Sequence, residues 1–172
     1  GYLFFMPDNV YEEGRPGTSA LDCITSAVQK VIDLGYANPE KIGLQGHSWG
    51  GYQSSFILTQ TDLFACVVTG APPTDLESFY NNIYGNTGTN HVGIMEIGQV
   101  RMGRGVTPWS HREIYQRENP MFHAPNISTP FMILHGTRDG AVDWTQGLEF
   151  YNAARRLGKE VIFLSYPGEP HH

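Results

Sequence analysis

The sequence predicts an α/β fold, a mostly parallel sheet with helices on both faces, and three observations predict it. Short runs of apolar residues alternate with segments whose apolar residues recur every three or four positions. The short runs are apolar at successive positions, as strands buried on both faces of a parallel sheet are. A serine among glycines, in Gly43-Leu44-Gln45-Gly46-His47-Ser48-Trp49-Gly50-Gly51, stands between one such run and the helical segment after it.

Taken in order, Tyr2 to Met6 is an apolar run ending at Pro7-Asp8, predicted as a strand, and a turn-rich loop follows it. Over 18–34, Leu21, Ile24, Val28 and Val31 keep helical spacing, with Thr18 or Ser19 as N-cap and Gly35 as the stop. Residues 41–46 read as a buried strand, 52–60 as a helix and 65–70 as a strand. The stretch 72–128 is rich in Gly, Asn, Pro and aromatics, has weak periodicity, and is too long for a plain connection. It reads as a cap or substrate-facing excursion. Residues 130–136 are the next strand. Trp144, Leu148, Tyr151 and Leu157 then mark a helical stripe over 143–158, closed by Gly158, and 160–166 is the last strand.

The chain has 172 residues, 40% of them apolar and 16% charged, with a net charge of -6, which suits one globular domain. No basic footprint for nucleic acid or an anionic membrane is present, and no apolar run is long enough to span a membrane. The N-terminus lacks the charged and apolar regions of a signal peptide. Cys23 and Cys66 lack CxxC spacing and sit in apolar surroundings, so both are expected as buried thiols rather than a bridge or metal site. The chain starts at Gly1 on an apolar run, and we expect a piece of a longer protein with further strands upstream. There is no HExxH, P-loop or dinucleotide GxGxxG, so neither a metal nor an organic cofactor is expected.

Gly46-His47-Ser48-Trp49-Gly50 matches GxSxG, with a strand before and a helix after, as a nucleophile elbow requires. Gly46 and Gly50 are expected to leave room for a strained turn that holds Ser48 at a helix N-terminus. There the N–H of Trp49 is the natural first donor to an oxyanion. The same residues also read as a Gly-rich turn with Ser48 as helix cap. In α/β-hydrolase order an acid and a histidine follow the serine, each in a loop after a later strand. Asp139 and His171 stand at those places, all three candidates at the carboxyl edge of one sheet. Asp143 competes with Asp139 and is read as the next helix's N-cap. His172 competes with His171, and His47 and His135 flank the site as core or supporting histidines.

These residues resemble a known family. GHSWGGY, ILHGTRDGAV and YPGEPHH, together with NPEKIG, VVTGAP and RRLGKEV, are similar to the catalytic domain of the prolyl oligopeptidase family of serine peptidases. The resemblance runs from end to end. It implies an α/β-hydrolase domain, 1–172 being part of one, joined in the complete protein to a β-propeller of which nothing is present here. It implies cleavage of short peptides, often after proline, through Ser48 as nucleophile, Asp139 as acid and His171 as the base two positions after Glu169. It makes Trp49 an oxyanion donor and a wall for the residue before the scissile bond (P1), with Tyr80, Tyr84 and Val142 as further walls. It also implies a second oxyanion donor, a tyrosine upstream of Gly1. Ala141 departs from members that hold the substrate backbone with a polar residue there. An esterase or lipase on the same triad, and a non-catalytic hydrolase-like module, are the alternative readings.

Overall fold

The computed structural model describes residues 1–171. β1 (Gly43–His47), β2 (Cys66–Gly70), β3 (Phe131–Gly136) and β4 (Val161–Tyr166) pair in chain order into one all-parallel sheet. Around it lie α1 (Pro16–Asp33), α2 (Trp49–Leu58), α3 (Leu76–Tyr80), α4 (Val92–Glu96), α5 (Arg112–Glu118), α6 (Pro120–His123) and α7 (Trp144–Arg156). The registers place Leu44, Val67, Phe131 and Val161 in one row across the sheet and Gly46, Thr69, Ile133 and Phe163 in the next.

That face is the core. Ala20 and Val28 of α1, Ile57 and Leu58 of α2, and Phe150 and Ala154 of α7 pack with Val67, Phe131, Ile133 and Val161 in one buried cluster. α1, α2 and α7 therefore cover the same face. The opposite face presents Val68, Met132 and Ile162 in one row and Leu134 and Leu164 in the next. It stays open, with Ile162 53% and Leu164 39% exposed.

Four expectations need correction. Residues 2–6 form no strand, and Leu3, Phe4 and Met6 are exposed. A strand exists through its ladder partners, and no described segment pairs with these residues. α1 begins earlier than the spacing suggests, with Arg15 as N-cap and Pro16 in the first turn, so neither Thr18 nor Ser19 caps it. The Gly17 and Thr18 N–H groups instead donate to the buried carboxylate of Glu118, each at 2.8 Å. The buried stripe of α7 is Gln146, Gly147, Phe150 and Ala154, while Leu157 is exposed. Of the predicted stripe, Trp144 and Tyr151 are half-buried against Phe163 of the edge strand β4, at the margin of the core cluster rather than within it. The cysteines are not disulfide-bonded, but Cys66 is exposed and Cys23 half-buried, so neither is a core thiol.

The segment between β2 and β3 has a core of its own. Leu76, Phe79, Tyr80, Met95, Val100, Met102 and Tyr115 pack with Trp49 and Tyr52 at the start of α2 and with Val142. Gln146 of α7 pins its entry, accepting from the Thr74 and Asp75 N–H groups at 3.0 and 2.9 Å. Among the described residues no helix is long and apolar enough to cross a membrane.

Candidate active site

Ser48 joins β1 to α2 with φ 57° and ψ -119°, a conformation that non-glycine residues rarely hold. Its N–H donates to the Gly70 carbonyl at 2.8 Å, which ties the turn to the end of β2. Gly46 is required by space, since a Cβ there would lie 1.9 Å from the Gly50 carbonyl oxygen. The expectation for Gly50 does not hold: a Cβ there meets nothing within 4 Å. The crowded partner is Gly51, whose Cβ would approach the Gly70 carbonyl oxygen to 2.5 Å, because that position faces the end of β2. Trp49 is the first residue of α2, and first-turn amides have no intrahelical acceptor, so its N–H, next to Ser48, has no partner within the helix.

Asp139 lies three residues past β3 in a loop that holds its carboxylate from every side. Oδ1 accepts from the Ala141 and Val142 N–H groups, both at 2.9 Å. Oδ2 lies 2.7 Å from His171 Nδ1 and 3.2 Å from His135 Nε2. Burial alone would raise this carboxyl's pKa; the N–H groups of His135, His171, Val142 and Ala141 outweigh it and hold the group well below the usual carboxylate range. Asp143 is the side-chain cap of α7, accepting from the Thr145 N–H at 2.8 Å.

His171 is brought in by a second loop laid across the first. The Arg138 N–H donates to the Glu169 carbonyl at 3.0 Å, and the Gly168 N–H to Thr137 Oγ1 at 2.9 Å. Gly136 allows this crossing, because a Cβ there would lie 2.3 Å from the Glu169 carbonyl oxygen. His171 Nδ1 then reaches Asp139, and its Nε2 lies 2.7 Å from Ser48 Oγ. A carboxylate only accepts, so Nδ1 carries the proton and Nε2 accepts from the serine hydroxyl. Such an imidazole can take the hydroxyl proton while the carboxylate fixes its tautomer. The His47 ring lies 5.0 Å from that of His171. His172 lies outside the described residues.

The candidate pocket residues are divided. Trp49, Tyr80 and Val142 are buried in the one cluster, with Trp49 stacked on Tyr52 at 4.1 Å and the Tyr80 hydroxyl donating to Glu96 Oε1 at 2.9 Å. Tyr84 is half-buried on a turn of its own, 4.3 Å from the ring of His91. Neighbouring Asn86 donates its N–H to the Gly140 carbonyl at 3.4 Å, so this turn rests on the Asp139 loop. Sequence reading did not assign the backbone amides of Ala141 and Val142, which only the loop's shape aims at Asp139. Among the described residues no three His, Cys, Asp or Glu side chains are grouped to hold a metal ion.

An uncharacterized peptidase of Bacillus subtilis, YuxL, is 26% identical over 92% of this chain, and the dipeptidyl peptidase family member 6 of Caenorhabditis elegans is 29% identical over 86%. The chain spans 23% and 20% of their lengths. The acylaminoacyl peptidase of Pyrococcus horikoshii, at 26% identity, superposes on 92% of this chain with a TM-score of 0.78, the match taking in 24% of that protein. Its catalytic fold is an α/β-hydrolase, as the parallel sheet and helices here are. Residues 11–172 match the prolyl oligopeptidase family, nearly the whole of the chain, and it is to that family that this protein belongs.

Proposed function

We propose that the chain carries the triad of a serine peptidase that hydrolyses amide bonds of short peptides, with Ser48 as nucleophile, His171 as base and Asp139 as acid. The observation that carries this reading is the unbroken relay from Ser48 Oγ through His171 to Asp139, 2.7 Å at each step. His171 Nε2 takes the hydroxyl proton as Oγ attacks the carbonyl, and Asp139 stabilises the imidazolium that forms. The tetrahedral oxyanion is received by the Trp49 N–H. The imidazolium then protonates the leaving amine, and the same imidazole activates the water that releases the acyl group. Membership of a peptidase family favours amide over ester substrates.

The P1 walls are Trp49, Tyr80, Tyr84 and Val142, an apolar set suited to proline or a small apolar residue. The 72–128 segment forms the substrate-facing side of one α/β-hydrolase domain, and a β-propeller in the complete protein limits substrates to short peptides. A fluorophosphonate probe on the full-length protein tests the triad. Labelling at Ser48 is expected, abolished in Ser48→Ala together with peptide hydrolysis, and labelling that persists in the variant overturns the assignment. Peptides differing only at P1 test the pocket, with Lys or Glu there turned over least because an unpaired charge pays a desolvation cost.

A further inference from the structure

We propose that His135 is a positioning residue for Asp139, completing the hold on the carboxylate that orients His171; the proposal rests on the triad reading above. His135 stands near the end of β3, 1% exposed. Its Nε2 lies 3.0 Å from the Val142 carbonyl oxygen and 3.2 Å from Asp139 Oδ2. Both neighbours are acceptors only, so the proton belongs on Nε2 and is shared between them. Nδ1 is buried with no hydrogen-bond partner among the described residues, and the geometry therefore selects the Nε2–H tautomer. The ring is wedged in place from behind by α7, where a Cβ on Gly147 would come within 2.6 Å of Nδ1.

The consequence is a closed set of contacts. Val142 donates its N–H to Asp139 Oδ1 and offers its carbonyl to His135, and His135 returns to Asp139 Oδ2. Oδ2 thus receives two imidazole N–H groups, one from the base and one from a ring fixed in the sheet. Without the second, that oxygen is positioned only by the side chain it is meant to position. A core histidine packed for bulk alone would not need its N–H aimed at this oxygen, nor a glycine facing its other nitrogen.

The test uses the full-length enzyme and three variants. His135→Phe keeps an aromatic ring and removes the N–H, His135→Gln returns an amide N–H near the Nε2 position, and Gly147→Ala drives the ring off its seat while leaving His135 unchanged. We expect His135→Phe to lower kcat on a peptide substrate roughly ten- to a hundredfold, with KM within about twofold, as misplacement of a catalytic group does. The downfield proton of the Asp139–His171 hydrogen bond should shift or broaden in the same variant. His135→Gln should recover most of both, and Gly147→Ala should lose kcat while remaining folded at the assay temperature. Unchanged kcat in His135→Phe and Gly147→Ala overturns the proposal, as does a loss that His135→Gln does not recover with the downfield proton unmoved. Fluorophosphonate labelling of the unsubstituted enzyme separates the two readings: its absence overturns the triad and this proposal together, whereas labelling with either of those outcomes overturns this proposal alone.

Discussion

At Ser48 the backbone is strained, and the glycines around it divide by what their missing Cβ atoms would strike. A methyl at Gly46 would overlap the Gly50 carbonyl, backbone against backbone, with no side chain able to yield. Gly46→Ala is expected to cost roughly 2–4 kcal/mol and to remove activity with it. Gly50→Ala meets open space and lies in the first turn of a helix, so its stability and kcat should stay near the unsubstituted values. Melting temperature and kcat/KM on the pair check this. Asp139 makes a second prediction. Its folded-state carboxyl lies below its unfolded value, so the stability it contributes is complete above about pH 4 and is lost as pH falls toward the folded value. Urea midpoints should therefore fall more between pH 5 and pH 3 in the unsubstituted protein than in Asp139→Asn, whose neutral side chain does not titrate.

Among the elements, α1 depends on a residue far along the chain. Its N-terminal amides have no local side-chain cap, and Glu118 at the end of α5 supplies one: two backbone N–H groups and the Thr18 hydroxyl converge on its carboxylate, with Arg117 Nε at 2.7 Å. A carboxylate at a helix N-terminus also meets the positive end of the helix dipole. Because Glu118 is fully buried, Glu118→Ala leaves these donors and part of Arg117 without an acceptor. The expected loss is about 3 kcal/mol, and Glu118→Gln, which keeps the side-chain shape and one acceptor oxygen for the two amides but turns an NH2 toward Thr18 and Arg117, should lose less. Urea unfolding of both variants measures it. Thr18 and Ser19 read as caps because they are the residue types that cap locally, and a carboxylate arriving from α5 has no signature in the neighbouring sequence.

Across the whole molecule, the covered and open faces of the sheet differ in what they bury. The rows of Val68, Met132 and Ile162 and of Leu134 and Leu164 form an apolar face that the described residues leave in contact with water. Taken alone, this polypeptide should bind a hydrophobic dye and sediment as larger species at rising concentration, and Ile162→Lys with Leu164→Glu should reduce both effects. Apolar runs and helical spacing, which act over a few residues, determined the four strands, α1, α2 and α7, and the glycine-flanked turn at Ser48. They also put Asp139 and His171 just beyond strand ends. Tertiary structure alone decided the rest. Residues 2–6 have a strand's composition, yet a strand needs a partner, and pairing is not a property of five residues. The meeting of Ser48, Asp139 and His171 depends on parallel register bringing three strand ends to one edge and on Gly136 letting two loops cross. The cap on α1 is set by a carboxylate far along the chain, and the tautomer of His135 by how the loop after β3 folds back over it, because a hydrogen bond is decided by where its acceptor lies in space and not by how far along the chain it is.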